Sequence, residues 1–231
     1  MKSRGRETSA RQDSAPQLPD RVRRILPADT ANAWLTLAPH LPKELYLGGG
    51  TAVAVRLGHR QSRDLDFFFH RKVDLDELKE LIAGLGTFAV THESKGTLKG
   101  LFSATKVEIF DASQLKLLAK PTSVAGIRVA GLHDLMAMKL KVMAERGEMR
   151  DYFDVKAIDE DGAVSVEEGI EAYVKRYDIK PSSDALPHLY QAMGDLSDVE
   201  VDESLSIGKP ELQRWWSRRQ AQALRNSDRF G

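Results

Sequence analysis

The period of apolar positions changes several times along the chain, and each change predicts a new element. A short apolar run, Leu45–Leu47, leads into Gly48-Gly49-Gly50-Thr51, then into the apolar stretch Ala52–Leu57, then into the alternating Asp64-Leu65-Asp66-Phe67-Phe68-Phe69. This predicts a strand, a turn, a helix beginning near Ala52, and a strand over 64–69. Upstream, Asp29–Leu37 predicts a helix ending before Pro39. Downstream, Val73–Leu85 carries Leu75, Leu78, Leu81, Ile82 and Leu85 at helical spacing, with Gly84 and Gly86 near its end. After Gly86 the pattern alternates, predicting strands over 87–94, 97–103 and 105–110, and 121–129 reads as a loop and a short strand.

The rest of the chain has a helical period. From Leu132 to Met143 the stripe runs Leu132, Leu135, Met136, Lys139, Leu140, Met143, so a lysine occupies a core-facing position. Arg146, Arg150, Asp151 and Asp154 cluster where a second helix starts, and there Asp151, Asp154, Val155 and Ile158 share one face. Ser165-Val166-Glu167-Glu168 is a capping box opening a helix over 166–177. A helix over 182–193 is expected to be interrupted by Pro187, and Pro210 to open a last helix running to about Arg225.

Composition changes this picture little. The chain has 231 residues, 42% hydrophobic and 29% charged, with no cysteine, which excludes disulfides and thiolate metal sites. No apolar run is long enough for a membrane span and no apolar segment of a secretory signal is present, so a cytoplasmic protein with no membrane partner is expected. The net charge of zero hides an asymmetry, because both ends are basic. Residues 1–20, with Arg4, Arg6 and Arg11, read as a disordered basic tail, either solubilising or touching nucleic acid.

Candidate chemistry gathers around the glycines. They let a backbone approach something bulky, and the helix after them offers unpaired N–H groups to a phosphate, although a plain loop explains the composition too. Asp64 and Asp66 fall on one face of their strand and Leu65 and Phe67 on the other. Two such carboxylates repel unless a cation lies between them; the alternative is decoration of a strand edge. Arg56, Arg60 and Arg63 lie between the two motifs, where a triphosphate wants cations. Lys106 and Glu108 share a strand face, so Glu108 is either a third acid for a two-metal site or half of a solvent-facing pair. Lys139 either snorkels or reaches an anion, and a structural Lys–Asp pair bridging two helices explains its neighbourhood as well as catalysis does. Arg214, Arg218, Arg219 and Arg225, interleaved with Trp215 and Trp216, suit RNA contact or a docked helix with solvated arginines.

The stretch from Leu47 to Phe69 resembles the first motif of the AbiEii/AbiGii-type nucleotidyltransferase toxins, in the DNA polymerase β-like superfamily. Lys106-Val107-Glu108 resembles the second motif. Met138-Lys139-Leu140-Lys141, Glu145-Arg146-Gly147 and Arg150-Asp151-Tyr152-Phe153-Asp154 resemble the third and fourth. The resemblance implies an α+β fold: a polymerase β-like core over 21–130 with a mixed, mostly antiparallel sheet, and a helical region over 131–231 contributing Lys139 and Asp154. It implies a toxin with a cognate antitoxin, transferring nucleotides from an NTP to an acceptor that in some relatives is a tRNA 3′ end. By motif, Gly49, Gly50, Thr51, Arg60, Ser62 and Lys139 would bind the nucleotide. Asp64 and Asp66, with Glu108, would hold Mg²⁺ (or Mn²⁺), and Lys139 and Asp154 would complete the catalytic set. Thr51 replaces the superfamily's usual Ser, and Glu108 its usual Asp. The alternatives are transfer to a small molecule or protein, and a catalytically silent binding partner of the same fold.

Overall fold

The structure, a computed structural model, describes residues 17–225. Arg4, Arg6 and Arg11 of the expected tail lie outside the described residues. Leu18, within the expected tail, is buried and leads into α1 (Asp20–Ile25), which no apolar period announced. α2 (Ala28–Leu37) follows and buries Trp34, whose Nε1 donates to the Ala125 carbonyl at 3.1 Å. Next come β1 (Leu45–Leu47), α3 (Gly49–Leu57) and β2 (Leu65–Phe69). α4 (Leu75–Leu85) begins where the Asp74 carboxylate accepts from the Asp76 and Glu77 amides. Then come β3 (Phe88–Ser94), β4 (Thr97–Phe102) and β5 (Thr105–Asp111); burial alternates along β4, whereas β3 is exposed along nearly all of its length and β5 is buried at Val107, Glu108 and Ile109 in succession.

Residues 121–129 form a hairpin rather than a loop with one strand: β6 (Thr122–Val124) and β7 (Ile127–Val129), turned by Ala125 at φ 43° and Gly126 at φ 86°. The apolar signal there was too short to separate two strands. α5 (Leu132–Arg146) runs almost a turn past the apolar stripe, with Lys141 pairing to Glu145 at 2.6 Å. α6 (Met149–Asp161), α7 (Val166–Tyr177), α8 (Ala185–Gly194) and α9 (Lys209–Arg225) complete the order. Pro187 does not interrupt α8; it is the third residue of that helix, in the first turn, where an N–H has no intrahelical acceptor to lose.

Among the described residues the seven strands form one sheet in the order β3-β4-β5-β2-β1-β7-β6. β1–β2, β3–β4, β4–β5 and β6–β7 are antiparallel, whereas β2–β5 and β1–β7 are parallel. The fold is thus α+β with a mixed, mostly antiparallel sheet and a helical C-terminal part. α2 touches β5, α4 touches β4 and α3 touches β2, while α5 packs against α3, α6, α7 and α8. No described helix is long and apolar enough to cross a membrane.

One buried ion pair ties the two halves. Asp134 on α5 and Arg176 on α7 meet at 2.6 Å with both side chains at 0% exposure. Asp134 also accepts from the Leu118 and Ala119 amides, each at 3.0 Å, and Arg176 donates to the Lys116 carbonyl and the Tyr46 hydroxyl on β1. Breaking such a pair leaves an uncompensated buried charge, typically at a cost of about 3–5 kcal/mol. Arg176→Met should therefore lose about that much stability in urea unfolding, and the double variant Arg176→Met/Asp134→Asn should lose less. Equal losses in the two would show that the pair is not coupled.

Candidate active site

The strand–glycine–helix–strand unit places its functional groups through register. On β2, Leu65, Phe67 and Phe69 are buried, so Asp66 and Phe68 face the other side. The parallel ladder with β5 sets Asp66 opposite Glu108 and Phe68 opposite Phe110. The two rings stack at 5.3 Å, and β4 sets Lys99 opposite Glu108. Over this face a cavity of about 340 Å³ opens between the sheet and α5. Gly49, Gly50, Thr51, Arg60, Ser62, Asp64, Asp66, Glu108 and Lys139 all line it. Nine candidates read from separate stretches of sequence therefore meet in one place.

The glycines are required there by the protein itself. Gly49 has φ +63°, and a Cβ on it would stand 2.1 Å from Asp66 Oδ2. A Cβ on Gly50 would stand 2.4 Å from an Arg60 guanidinium nitrogen. α3 begins at Gly49, three residues earlier than its apolar stretch, so the first amides of a helix lie beside the Asp66 carboxylate. The Thr51 hydroxyl meets Ser62 Oγ at 2.7 Å and donates to the Asp64 carbonyl, pinning the loop that carries Asp64.

The charges are unevenly balanced. Burial, together with the negative charge of Glu108 and Asp64, pushes the Asp66 carboxyl up to about 6. Glu108 has local partners, with Lys99 at 3.2 Å and Lys106 at 3.1 Å from its Oε1. Lys139 is a buried, paired lysine and does not snorkel; its Nζ lies 2.7 Å from both Asp151 and Asp154. Burial opposes its charge, but Asp154 and Asp151 outweigh burial and raise it above the usual lysine value. Asp154 does not line the cavity. It is fully buried behind Gly50, and Lys139, Arg60 and His59 overcome its burial to hold its carboxyl far below the usual range. Arg60 donates to it twice, from Nε at 2.6 Å and Nη2 at 2.8 Å.

Among the described residues no group of three or more His, Asp or Glu side chains is arranged to hold a metal ion, so Asp64, Asp66 and Glu108 are not assembled as a three-acid cage. The donor set nonetheless suits Mg²⁺, which is commonly held by one or two carboxylates and completed by phosphate oxygens and water. Lys139 and Lys106 offset only part of the burial and repulsion at Asp66, and such an ion would supply the rest.

Sequence reasoning missed His59, Phe68 and Phe110. Phe68 was findable, since it continues the Asp64–Asp66 face by two residues. The arginines of α9 are not at this cavity. Arg219 is engaged with Asp159 at 2.9 Å and Glu167 at 2.6 Å, bracing α9 against α6 and the start of α7, and Trp216 donates to the Tyr152 carbonyl at 3.3 Å. Arg214, Arg218 and Arg225 are exposed on that helix.

Comparisons with known proteins bear on this arrangement. Among solved structures, MenT4, a nucleotidyltransferase toxin from Mycobacterium tuberculosis H37Rv, is similar with a TM-score of 0.51 at 17% identity, covering 85% of this chain and 84% of that one. The antibiotic-resistance factor ANT(2'')-Ia is similar with a TM-score of 0.50 at 17% identity, covering 63% of this chain and 88% of that one. At that identity both are similarities of fold. An uncharacterised protein of Aquifex aeolicus (strain VF5), aq_aa25, is 34% identical over 116 residues, 48% of this chain; the match spans 56% of that protein's length. Residues 36–228, most of the chain and all of the cavity, match the family model of the nucleotidyl transferase AbiEii toxin, type IV toxin–antitoxin system. The chain therefore belongs to the AbiEii nucleotidyltransferase toxin family.

Proposed function

We propose that the protein is a Mg²⁺-dependent nucleotidyltransferase toxin that moves nucleotides from an NTP to an RNA acceptor, such as a tRNA 3′ end, and so blocks growth in the cytoplasm until a cognate antitoxin neutralises it. The observation that carries this reading is the Asp64–Asp66 pair set beside the first amides of α3 with Asp66 short of compensating charge. The first amides of α3 receive the triphosphate. Lys139 has three N–H donors, of which Asp151 and Asp154 take two; the third is available to a phosphate in the cavity it lines. Phe68, Phe110 and Met138 give the nucleobase an apolar wall to stack on. Asp64 and Asp66 would hold Mg²⁺, whose chemistry is to stabilise the negative charge that builds on the transferring phosphate and the leaving pyrophosphate. The acceptor hydroxyl bonds to the α-phosphorus as the α–β bridging bond breaks, pyrophosphate departs, and Glu108, the neighbour of Asp66 across the ladder, takes the hydroxyl proton.

Incubation of the purified protein with each α-labelled NTP, Mg²⁺ and total RNA should put label into RNA. Label that goes instead to a small molecule or to protein, or none at all, would overturn the acceptor or the activity.

Asp66→Asn should abolish transfer and also reverse a stability effect. A carboxylate raised in the folded state costs stability once ionised, so the metal-free protein should weaken as pH climbs from 3.8 to about 6 and keep the full deficit above that. Metal-free Asp66→Asn should thus melt higher than the parent protein at pH 7.5 and no higher at pH 3.8. Added Mg²⁺ should raise the melting temperature of the parent only. A variant that still transfers nucleotides, or that responds to Mg²⁺ as the parent does, would remove Asp66 from the site.

Lys139→Met should be costly in stability as well as in activity. It strips a buried cation from Asp151 and Asp154, for which about 3–5 kcal/mol is the usual loss. A urea midpoint unchanged from the parent protein would show that the ammonium does not hold the acids in solution.

A further inference from the structure

Beyond the catalytic cavity the fold carries a second concave surface of a different character. A cavity of about 450 Å³ lies between α1 and the C-terminal end of α3, lined by Arg21, Arg24, Arg56 and Arg60 with no acidic side chain. Arg21 and Arg24 are three positions apart on α1, are exposed, and have no ion-pair partner among the described residues. Arg56 is fixed by backbone carbonyls alone, with Nε on Ala130 at 3.0 Å and Nη2 on Val129 at 2.6 Å. Burial and the charge of Arg21 both hold its guanidinium below the usual arginine value, so the positive charge there is left without compensation. The chain keeps this surface against α1 through the Ser62 amide, which donates to the Ile25 carbonyl at 3.0 Å.

The basic cavity adjoins the catalytic one through shared lining residues. Arg60 and Gln61 line both it and a third cavity of about 360 Å³, which also holds Arg63 and Asp64. Asp64 in turn lines the catalytic cavity. Exposed Arg21, Arg24 and Arg63 therefore mark a way from α1 around the 58–64 loop to the first candidate metal ligand; Arg60, on that way, is held by Asp154, and Asp202 is the acid on its far side. Planar guanidinium forks suit phosphate oxygens, and an acceptor that presents its terminal hydroxyl at Asp64 while carrying anions back to α1 must be a polyanionic chain. α9 offers no comparable route, since its arginines line none of these cavities.

We propose that Arg21, Arg24 and Arg56 form a binding site for the phosphodiester backbone of a single-stranded RNA acceptor, leading its 3′ end past Arg63 to Asp64. This rests on the reading of the site as an RNA-directed nucleotidyltransferase, but it is tested by binding, which needs no transfer. A short fluorescein-labelled single-stranded RNA of mixed sequence is titrated with the full chain by fluorescence anisotropy, from about 50 to 200 mM KCl. Each lost phosphate contact lowers the slope of log Kd against log salt by about 0.7. Arg21→Gln/Arg24→Gln should weaken RNA binding at low salt and flatten that slope by about 1.4, while leaving NTP binding unchanged. Arg21→Lys/Arg24→Lys, which keeps the charge, should recover most of the slope. Arg214→Gln/Arg218→Gln on α9 should bind RNA as the parent does. With folding verified by circular dichroism, an unchanged slope in the first variant, or a loss that follows the α9 variant instead, overturns the site. Normal RNA binding through these arginines without any nucleotide transfer would leave it standing and overturn the enzymatic reading alone.

Discussion

The candidate site depends on one carboxylate that never reaches it. Asp154 is fully buried, and its two oxygens gather His59, Arg60 and Lys139 from the loop after α3 and from α5. Such a group is tolerated inside a protein only when opposite charges and hydrogen bonds surround it. Satisfying Asp154 consequently fixes the back wall of the cavity: Arg60 against Gly50, and Lys139, which lines the cavity, against its two acids. Asp151 adds a second anchor, since its Oδ1 accepts from Lys139 while its Oδ2 accepts from the Glu148 amide in the capping box that starts α6. Helix initiation and site geometry thus share one side chain.

The sheet contributes the opposite wall by a different means. Its central ladder is parallel, so Asp66 and Glu108 stand side by side and Phe68 and Phe110 stack in the next row. One row is charged and the next aromatic, which is the division a nucleotide itself has. Gly49 connects the two walls, because only a residue without Cβ and at ease with φ +63° lets the helix start against the Asp66 carboxylate.

Much of this was legible in the residues, and the limits have physical reasons. The strand–glycine–helix–strand unit follows from local periods, and the Asp64–Asp66 face follows from alternation alone. A Lys–Asp pair bridging two helices was one of the readings of Lys139, and the helices do bridge through Asp151 and Asp154. What depended on pairing between distant segments was not legible. Lys99 reaches Glu108 through a register that no local pattern specifies. Arg176 falls in the last turn of the helix expected over 166–177, and nothing local shows that it is buried against Asp134. Pro187 reads as a breaker because its rank within the helix depends on where the first turn begins. The α9 arginines read as a set, but the fold divides them, joining Arg219 to acids on other helices and leaving its neighbours outside.

The contact between Arg60 and Asp154 spans 94 residues of chain, and this separation sets an order on synthesis. A ribosome that has made β1 through β5 has produced the glycines, the Asp pair and Glu108, but neither Lys139 nor the acid that orients Arg60. Until α6 has left the exit tunnel, Arg60 is an unrestrained cation and the nascent chain has half a cavity. The complete cavity is thereby absent throughout most of the chain's own translation, and it assembles only when α5 and α6 fold onto the sheet.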